Sequence, residues 1–264
     1  MRFTKMQGLG NDYLYIYGQA PADAPALSRR LSDRHFGPGA DGIIFISTSD
    51  CADFRMRIFN ADGSEAEMCG NGIRCVGKYV YEKGYTDKTR LTVETLSGVK
   101  SLELQVAYGK VRSVTVEMGR AVVSPERTVL ACGEEVRLTP VDMGNPHAVV
   151  FTEDAEAAPL ETLGRAVERH EAFPGGVNVE FAQLLGPNRL RMRVWERGSG
   201  VTLACGTGAC ASTAAAAARG LVSYGESVSV ALDGGTLTVT VSPDGRVKMS
   251  GPAEFVYEGD TELC

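Results

Sequence analysis

Two cysteines stand in near-identical glycine-rich settings. Cys69 begins Cys69-Gly70-Asn71-Gly72, and Cys205 begins Cys205-Gly206-Thr207-Gly208. The two are 136 residues apart in a chain of 264. The likeness continues upstream at the same offset, where Arg57-Ile58-Phe59-Asn60 lines up with Arg193-Val194-Trp195-Glu196. Each cysteine precedes a helical pattern, so each thiol meets the positive end of a helix. That field favours thiolate and draws the pKa down from about 8.5 toward neutrality. The first backbone amides of a helix have no partner within it and bind carboxylates. Gly70, Asn71, Gly206 and Thr207 supply those amides, and glycine lets a ligand approach closely. Two such loops, one per half-chain, can hold one α-carboxylate and present a sulfur to each face of an α-carbon. Chemistry that treats two faces of a substrate alike needs that arrangement.

Supporting groups lie in the same neighbourhoods. His147, in Asn145-Pro146-His147, reads as a turn residue between strands. Glu196 ends a strand and precedes Arg197-Gly198. Either can polarise a thiol as its partner base. Alone, such a histidine reads as structural and such a glutamate as a solvated charge; Glu196-Arg197 at a strand end, eight to nine residues before Cys205, is what favours function there. Asn11, Asn60, Asn145 and Asn178 occupy turn-like positions, where asparagine is often only a turn former. Recurring in both halves, and joined by Glu196 and Arg197, they suggest a pocket for a zwitterionic head group. The remaining cysteines read differently. Cys75 and Cys210 lie within helices, and Cys51 and Cys132 on strand-like segments, all as small buried hydrophobes; Cys264 reads as an exposed terminus. His35 and His170 read as surface residues. The Cys69/Cys75 and Cys205/Cys210 spacings of six and five do not match common zinc pairs, and no metal site is expected.

The elements that must position these groups are mostly short strands. Phe54, Met56 and Ile58 alternate with Arg55 and Arg57 in a half-buried strand. Residues 99–106 and 111–117 read as a hairpin about Tyr108-Gly109-Lys110; 226–232 and 235–241 read as another about Asp233-Gly234. Residues 246–250 add a strand. Helices are expected over 25–34, 72–83, 158–169 and 208–219. The last, rich in alanine and almost uncharged, has no polar face and is expected to be buried.

Composition bounds the answer. Seven cysteines is an odd number in a mid-sized chain, which favours a reducing compartment over a disulfide framework. A net charge of −6 with no dense basic patch argues against nucleic acid or an anionic membrane as partner. No apolar run is long enough to span a bilayer. Arg2–Met6 alternates like a strand rather than a leader, and the expected location is the cytoplasm.

The motifs resemble the diaminopimelate epimerases over essentially the whole chain. The resemblance rests on Phe59 through Cys75, on Met143-Gly144-Asn145-Pro146-His147, on Trp195-Glu196-Arg197-Gly198, on Leu203 through Cys210, and on Gly8-Leu9-Gly10-Asn11-Asp12. It implies an α/β fold of the α+β type with two pseudo-symmetric domains, each a mostly antiparallel sheet rolled around a central helix. The domains would be 1–116 with 254–264, and 117–253, and the assembly a homodimer. It implies a cofactor-independent isomerase with a small amino acid as substrate. One of Cys69 and Cys205 would act as thiolate base and the other as thiol acid, His147 assisting Cys69 and Glu196 assisting Cys205. Asn11, Asn60, Asn178, Glu196 and Arg197 would bind the distal amino-acid centre. Two departures are local: Gly42 stands where some members carry glutamine, and Val201 replaces a polar residue.

Overall fold

Alternation of apolar and polar residues drives most of this chain into strands, and few segments carry a helical period. The computed structural model describes residues 1–262. It is an α+β structure, predominantly sheet. Contacts group it into two units, Met1–Val116 with the chain from Gly251 on, and Glu117–Ser250.

In the first unit the strand Arg2–Gly8 turns tightly through Leu9 and Gly10, both at positive φ, into Asn11–Tyr17. Its other edge pairs antiparallel with Glu254–Asp260. Helix α1 (Ala24–Ser32) then crosses over, so that Gly42–Ser47 lies parallel to Asn11–Tyr17 with Leu14 opposite Ile43. Gly42–Ser47 in turn pairs antiparallel with Phe54–Asn60. Helix α2 (Gly70–Glu82) is buried along nearly its whole length. It packs on Arg2–Gly8, Asn11–Tyr17 and Gly98–Ala107. Gly77 allows this contact, because a Cβ there would meet Leu102 and Leu104 at 3.0 Å.

The second unit repeats the parallel pair. Pro146–Phe151 runs parallel to Asn178–Gly186, with His147 opposite Asn178. Asn178–Gly186 pairs antiparallel with Arg189–Glu196. The connection between the parallel strands contains a π-helical turn, Leu160–Gly164, and a short helix α3 (Arg165–Glu168). A single helix over 158–169 was expected. Gly164 seats against Trp195, whose Cβ lies 2.8 Å from where a side chain would begin, and the widened turn accommodates that contact. Helix α4 (Gly206–Ala218) is buried, and packs on Glu134–Asp142, Pro146–Phe151, Asn178–Gly186, Arg189–Glu196 and Gly235–Val241. Its alanines allow strands to approach from several sides at once.

Three local expectations are corrected. His147 lies within a strand with its side chain fully buried, not in an exposed turn. Asn11 and Asn178 begin strands and Asn60 ends one, so these three belong to strand ends rather than free turns. Cys51 and Cys132 are exposed, because they sit at bends: Cys51 in one closed by the Ser49 hydroxyl, Cys132 at φ 55° in a hairpin turn. Cys75 and Cys210 are buried as expected. Cys264 lies outside the described residues. Among the described residues no helix is long and apolar enough to cross a membrane.

Candidate functional site

Both cysteines cap a helix through sulfur. Cys69 and Cys205 have extended backbones at the N-caps of α2 and α4. The Gly72 amide donates to the Cys69 sulfur at 3.3 Å, and the Gly208 amide to the Cys205 sulfur at 3.4 Å. Sulfur thus takes the role that serine or aspartate oxygen usually fills. The fourth residue of each motif must be small. A Cβ at Gly72 would meet the Ile44 side-chain tip at 2.7 Å, and one at Gly208 would meet the Glu180 carboxylate at 2.7 Å and the Cys205 sulfur at 3.2 Å.

In the first unit Cys69 is half-buried, and its thiol donates to the Asn11 Oδ1 at 3.3 Å. Asn11 donates onward to Asp41 at 2.8 Å, and Arg34 bridges Asp41 and Asp12. Lys5 completes the network on Asp12. Burial raises the Asp12 pKa, but Arg34 and Lys5 outweigh it and hold the carboxyl below its usual range. The Tyr13 hydroxyl hydrogen-bonds Asn11 and Cys69; burial, and then the charge at Cys69, push its pKa well up. It is therefore a fixed O–H group rather than an acid. Gly70 and Asn71 are buried at the first turn of α2. Asn60 sits at its strand's end and donates to the Ser64 hydroxyl at 3.1 Å. Opposite it, Gly42 has no room for a side chain, since a Cβ would lie 2.3 Å from the Phe59 carbonyl. A glutamine there would require the strand to shift.

In the second unit Cys205 is buried and carboxylates surround it. Glu196 hydrogen-bonds the Cys205 thiol and accepts from the Thr202 hydroxyl. Burial pushes the Glu196 pKa above its ordinary value. Cys205 is pushed well above the usual thiol range, by burial first and then by the charges of Glu196 and Glu180. This reverses the fall expected from the helix end, because the loss of hydration and two nearby anions outweigh a partial positive charge. The Thr207 hydroxyl lies 3.6 Å from the same sulfur. Asn145 donates to Thr207 at 3.4 Å and presents its Oδ1 to His147 Nε2 at 3.1 Å. His147 Nδ1 meets Glu180 at 2.6 Å. Asn178 donates to the Pro146 carbonyl and accepts from the Arg197 amide. The exposed Arg197 guanidinium reaches the Gly175 carbonyl at 3.1 Å. Glu168 braces this turn by accepting from the Trp195 indole and the Gly198 amide.

The fold therefore gathers Cys69 with Asn11 in one unit, and Cys205 with Glu196, Thr207, Asn145 and His147 in the other. Asn178 and Arg197 adjoin the second group, while the Asn60 side chain meets Ser64. Three contributors escaped the sequence reading: Tyr13, Glu168 and Glu180. The last had a signal, a carboxylate within the apolar run Val177-Asn178-Val179-Glu180-Phe181. Among the described residues, no group of three or more His, Cys, Asp or Glu side chains is placed to hold a metal.

Comparison with known proteins is consistent along the chain. The family model described as diaminopimelate epimerase matches residues 3–124 and 139–256. A diaminopimelate epimerase of Methanococcus maripaludis is 48% identical, with 100% of both chains covered. One from Phocaeicola vulgatus is 49% identical, covering 100% of this chain and 99% of its own. Among solved structures, a probable proline racemase from Agrobacterium radiobacter superposes with a TM-score of 0.77 at 18% identity, covering 100% of this chain and 93% of the other. A Bacillus anthracis phenazine biosynthesis protein of the PhzF family superposes with a TM-score of 0.76 at 16% identity, covering 99% and 98%. These two share the fold.

Proposed function

The chain belongs to the diaminopimelate epimerase family, and from that premise we propose that it interconverts L,L- and meso-diaminopimelate with Cys69 and Cys205 as the acid/base pair. The observation that carries this reading is the twice-built cap: in each unit a cysteine sulfur closes the N-terminus of a buried helix and has a polar partner of its own. One sulfur, as thiolate, takes the α-proton and becomes S–H. The other gives up its S–H proton to the opposite face of the α-carbon and becomes thiolate. The proton count is unchanged, no electron is transferred, and no cofactor enters. Burial, Glu196 and Glu180 push the Cys205 pKa up, which favours its thiol form.

The amides of Gly70, Asn71, Gly206 and Thr207 receive the α-carboxylate, whose charge suits a helix N-terminus. Glu196 serves as partner base to Cys205, and His147 is the second supporting base. Asn11, Asn60, Asn178, Glu196 and Arg197 hold the distal amino-acid centre, and Asn145 also binds the substrate. A substrate lacking that centre leaves those groups unpaired, which is how such a site discriminates. The product serves lysine and peptidoglycan precursor synthesis, and we place the enzyme in the cytoplasm as a homodimer. Reduced protein incubated with L,L-diaminopimelate in D₂O, with nothing else added, is expected to yield meso product carrying deuterium at the α-carbon. Absence of both exchange and product, with the thiols titrated as reduced, overturns the assignment.

A further inference from the structure

We propose that Glu180 is a positioning residue for the reaction: it holds Nδ1–H of His147 and so leaves Nε2 as the nitrogen that faces Asn145 and the Thr207–Cys205 end of α4. The inference rests on the reading above that places His147 in the site. His147 Nδ1 and Glu180 Oε1 are 2.6 Å apart, and both side chains have no exposed surface. The other carboxylate oxygen, Oε2, is buried without a hydrogen-bond partner. A carboxylate in that state depends on the imidazole, since a buried charge is tolerated only when paired. In return it fixes the ring's rotation and sets Nε2–H to donate to the Asn145 Oδ1. The chain then runs unbroken: His147 Nε2 to Asn145 at 3.1 Å, Asn145 to Thr207 at 3.4 Å, Thr207 to the Cys205 sulfur at 3.6 Å.

The first unit supplies the control. At the 136-residue offset Glu180 corresponds to Ile44, as Gly208 does to Gly72. Ile44 fills the same place against the glycine of α2. The scaffold thus accepts a hydrocarbon there, and tyrosine rather than histidine occupies the adjoining position. A carboxylate is present only where there is an imidazole to hold. The ionisable groups facing the His147–Glu180 pair from other elements are Glu196 and Cys205.

The test is a double-mutant cycle on the full-length protein with Glu180→Gln and His147→Asn. Glutamine keeps the shape and the acceptor but removes the charge. Glu180→Gln is expected to lower kcat by about 10- to 100-fold, as loss of an orienting partner typically does, with KM little changed. In the His147→Asn background the same change costs under about 2-fold, since coupled residues are not additive. Equal losses in both backgrounds, or a loss carried by KM, overturn the proposal. Side-chain ¹⁵N NMR of the wild type gives a second readout that needs no variant to fold. Nδ1 of His147 should carry the proton that Glu180 accepts, and an unprotonated Nδ1 overturns the proposal. Full activity in His147→Asn removes both this inference and the role given to His147 above. Lost activity there with full activity in Glu180→Gln removes the inference alone.

Discussion

The two cysteine ends share a backbone and differ in what surrounds it. Each sulfur accepts the amide of the glycine three residues on, and each helix behind it is buried. Yet Asn60 in the first unit answers to Glu196 in the second, Ile44 to Glu180, and Gly42 to Asn178, all at the same offset. His147 pairs with Asn178 in a parallel ladder like that of Leu14 with Ile43, which puts Tyr13 where the second unit has histidine. Cys69 is half-buried and donates to Asn11; Cys205 is buried beside two carboxylates. Repetition supplied a thiol twice, and the unrepeated neighbours made the two unlike. A reaction that needs a base on one face and an acid on the other gains from that inequality.

The comparison breaks most severely if the thiols are removed. Cys69→Ser and Cys205→Ser are each expected to lower kcat/KM by about 10³-fold or more, because a serine hydroxyl is far too weak an acid to exchange roles with a thiol. Substantial turnover by either variant, measured as α-hydrogen exchange, ends the two-cysteine reading. Glu196→Gln should cost about 10²-fold in kcat, the usual contribution of a partner base. Its counterpart change Asn60→Gln should act on KM instead, and steady-state kinetics of the pair separates the two roles.

Alkylation sharpens the difference in protonation. Cys205 is pushed up, so its thiolate is scarce at neutral pH, and iodoacetamide labelling read by mass spectrometry should accelerate only as the pH rises toward and beyond the ordinary thiol range. In Glu196→Gln one anionic neighbour is gone, and the labelling onset should move to lower pH. An onset that stays in place shows that the Glu196 charge does not act on Cys205. A smaller contrast lies in the glycines. Gly208→Ala drives a methyl into Glu180 and the Cys205 sulfur, whereas Gly72→Ala meets the tip of Ile44, which can rotate away. Gly208→Ala should destabilise by about 1–3 kcal/mol and Gly72→Ala by less, in the manner of overpacked sites; thermal melts of the two variants decide it. The smallest effect expected is for Tyr13→Phe. It removes the hydroxyl's hydrogen bonds to Asn11 and Cys69 and should lower kcat only about 5-fold, on the order of 1 kcal/mol.

What could be read along the chain was local. The cysteine–glycine motifs, the helices that follow them and the glycine-turned hairpins depend on neighbours a few residues away. That is why Cys69 and Cys205 were identifiable as candidates, and α4 as a buried helix, from the residues alone. The site's supporting groups were legible only as far as chain proximity carried them. Glu196 was visible because it stands nine residues before Cys205, but His147 was misread as a turn residue because its strand partners are remote.

The tertiary structure decided the electrostatics. Glu180 is 33 residues from His147, and they meet because parallel pairing sets His147 opposite Asn178, so that the residue two further on shares the same face of the sheet. The protonation state of Cys205 was likewise beyond local reading. A helix end promises a lowered thiol pKa from the sequence, but desolvation and neighbouring charge depend on every segment packed around the sulfur. At Cys205 those segments bring in two carboxylates and exclude water, and the sign reverses. Sequence determined which atoms are available for proton transfer, because backbone capping is a short-range property. Packing determined the direction in which the Cys205 pKa moves, because electric fields and hydration are set by the whole fold.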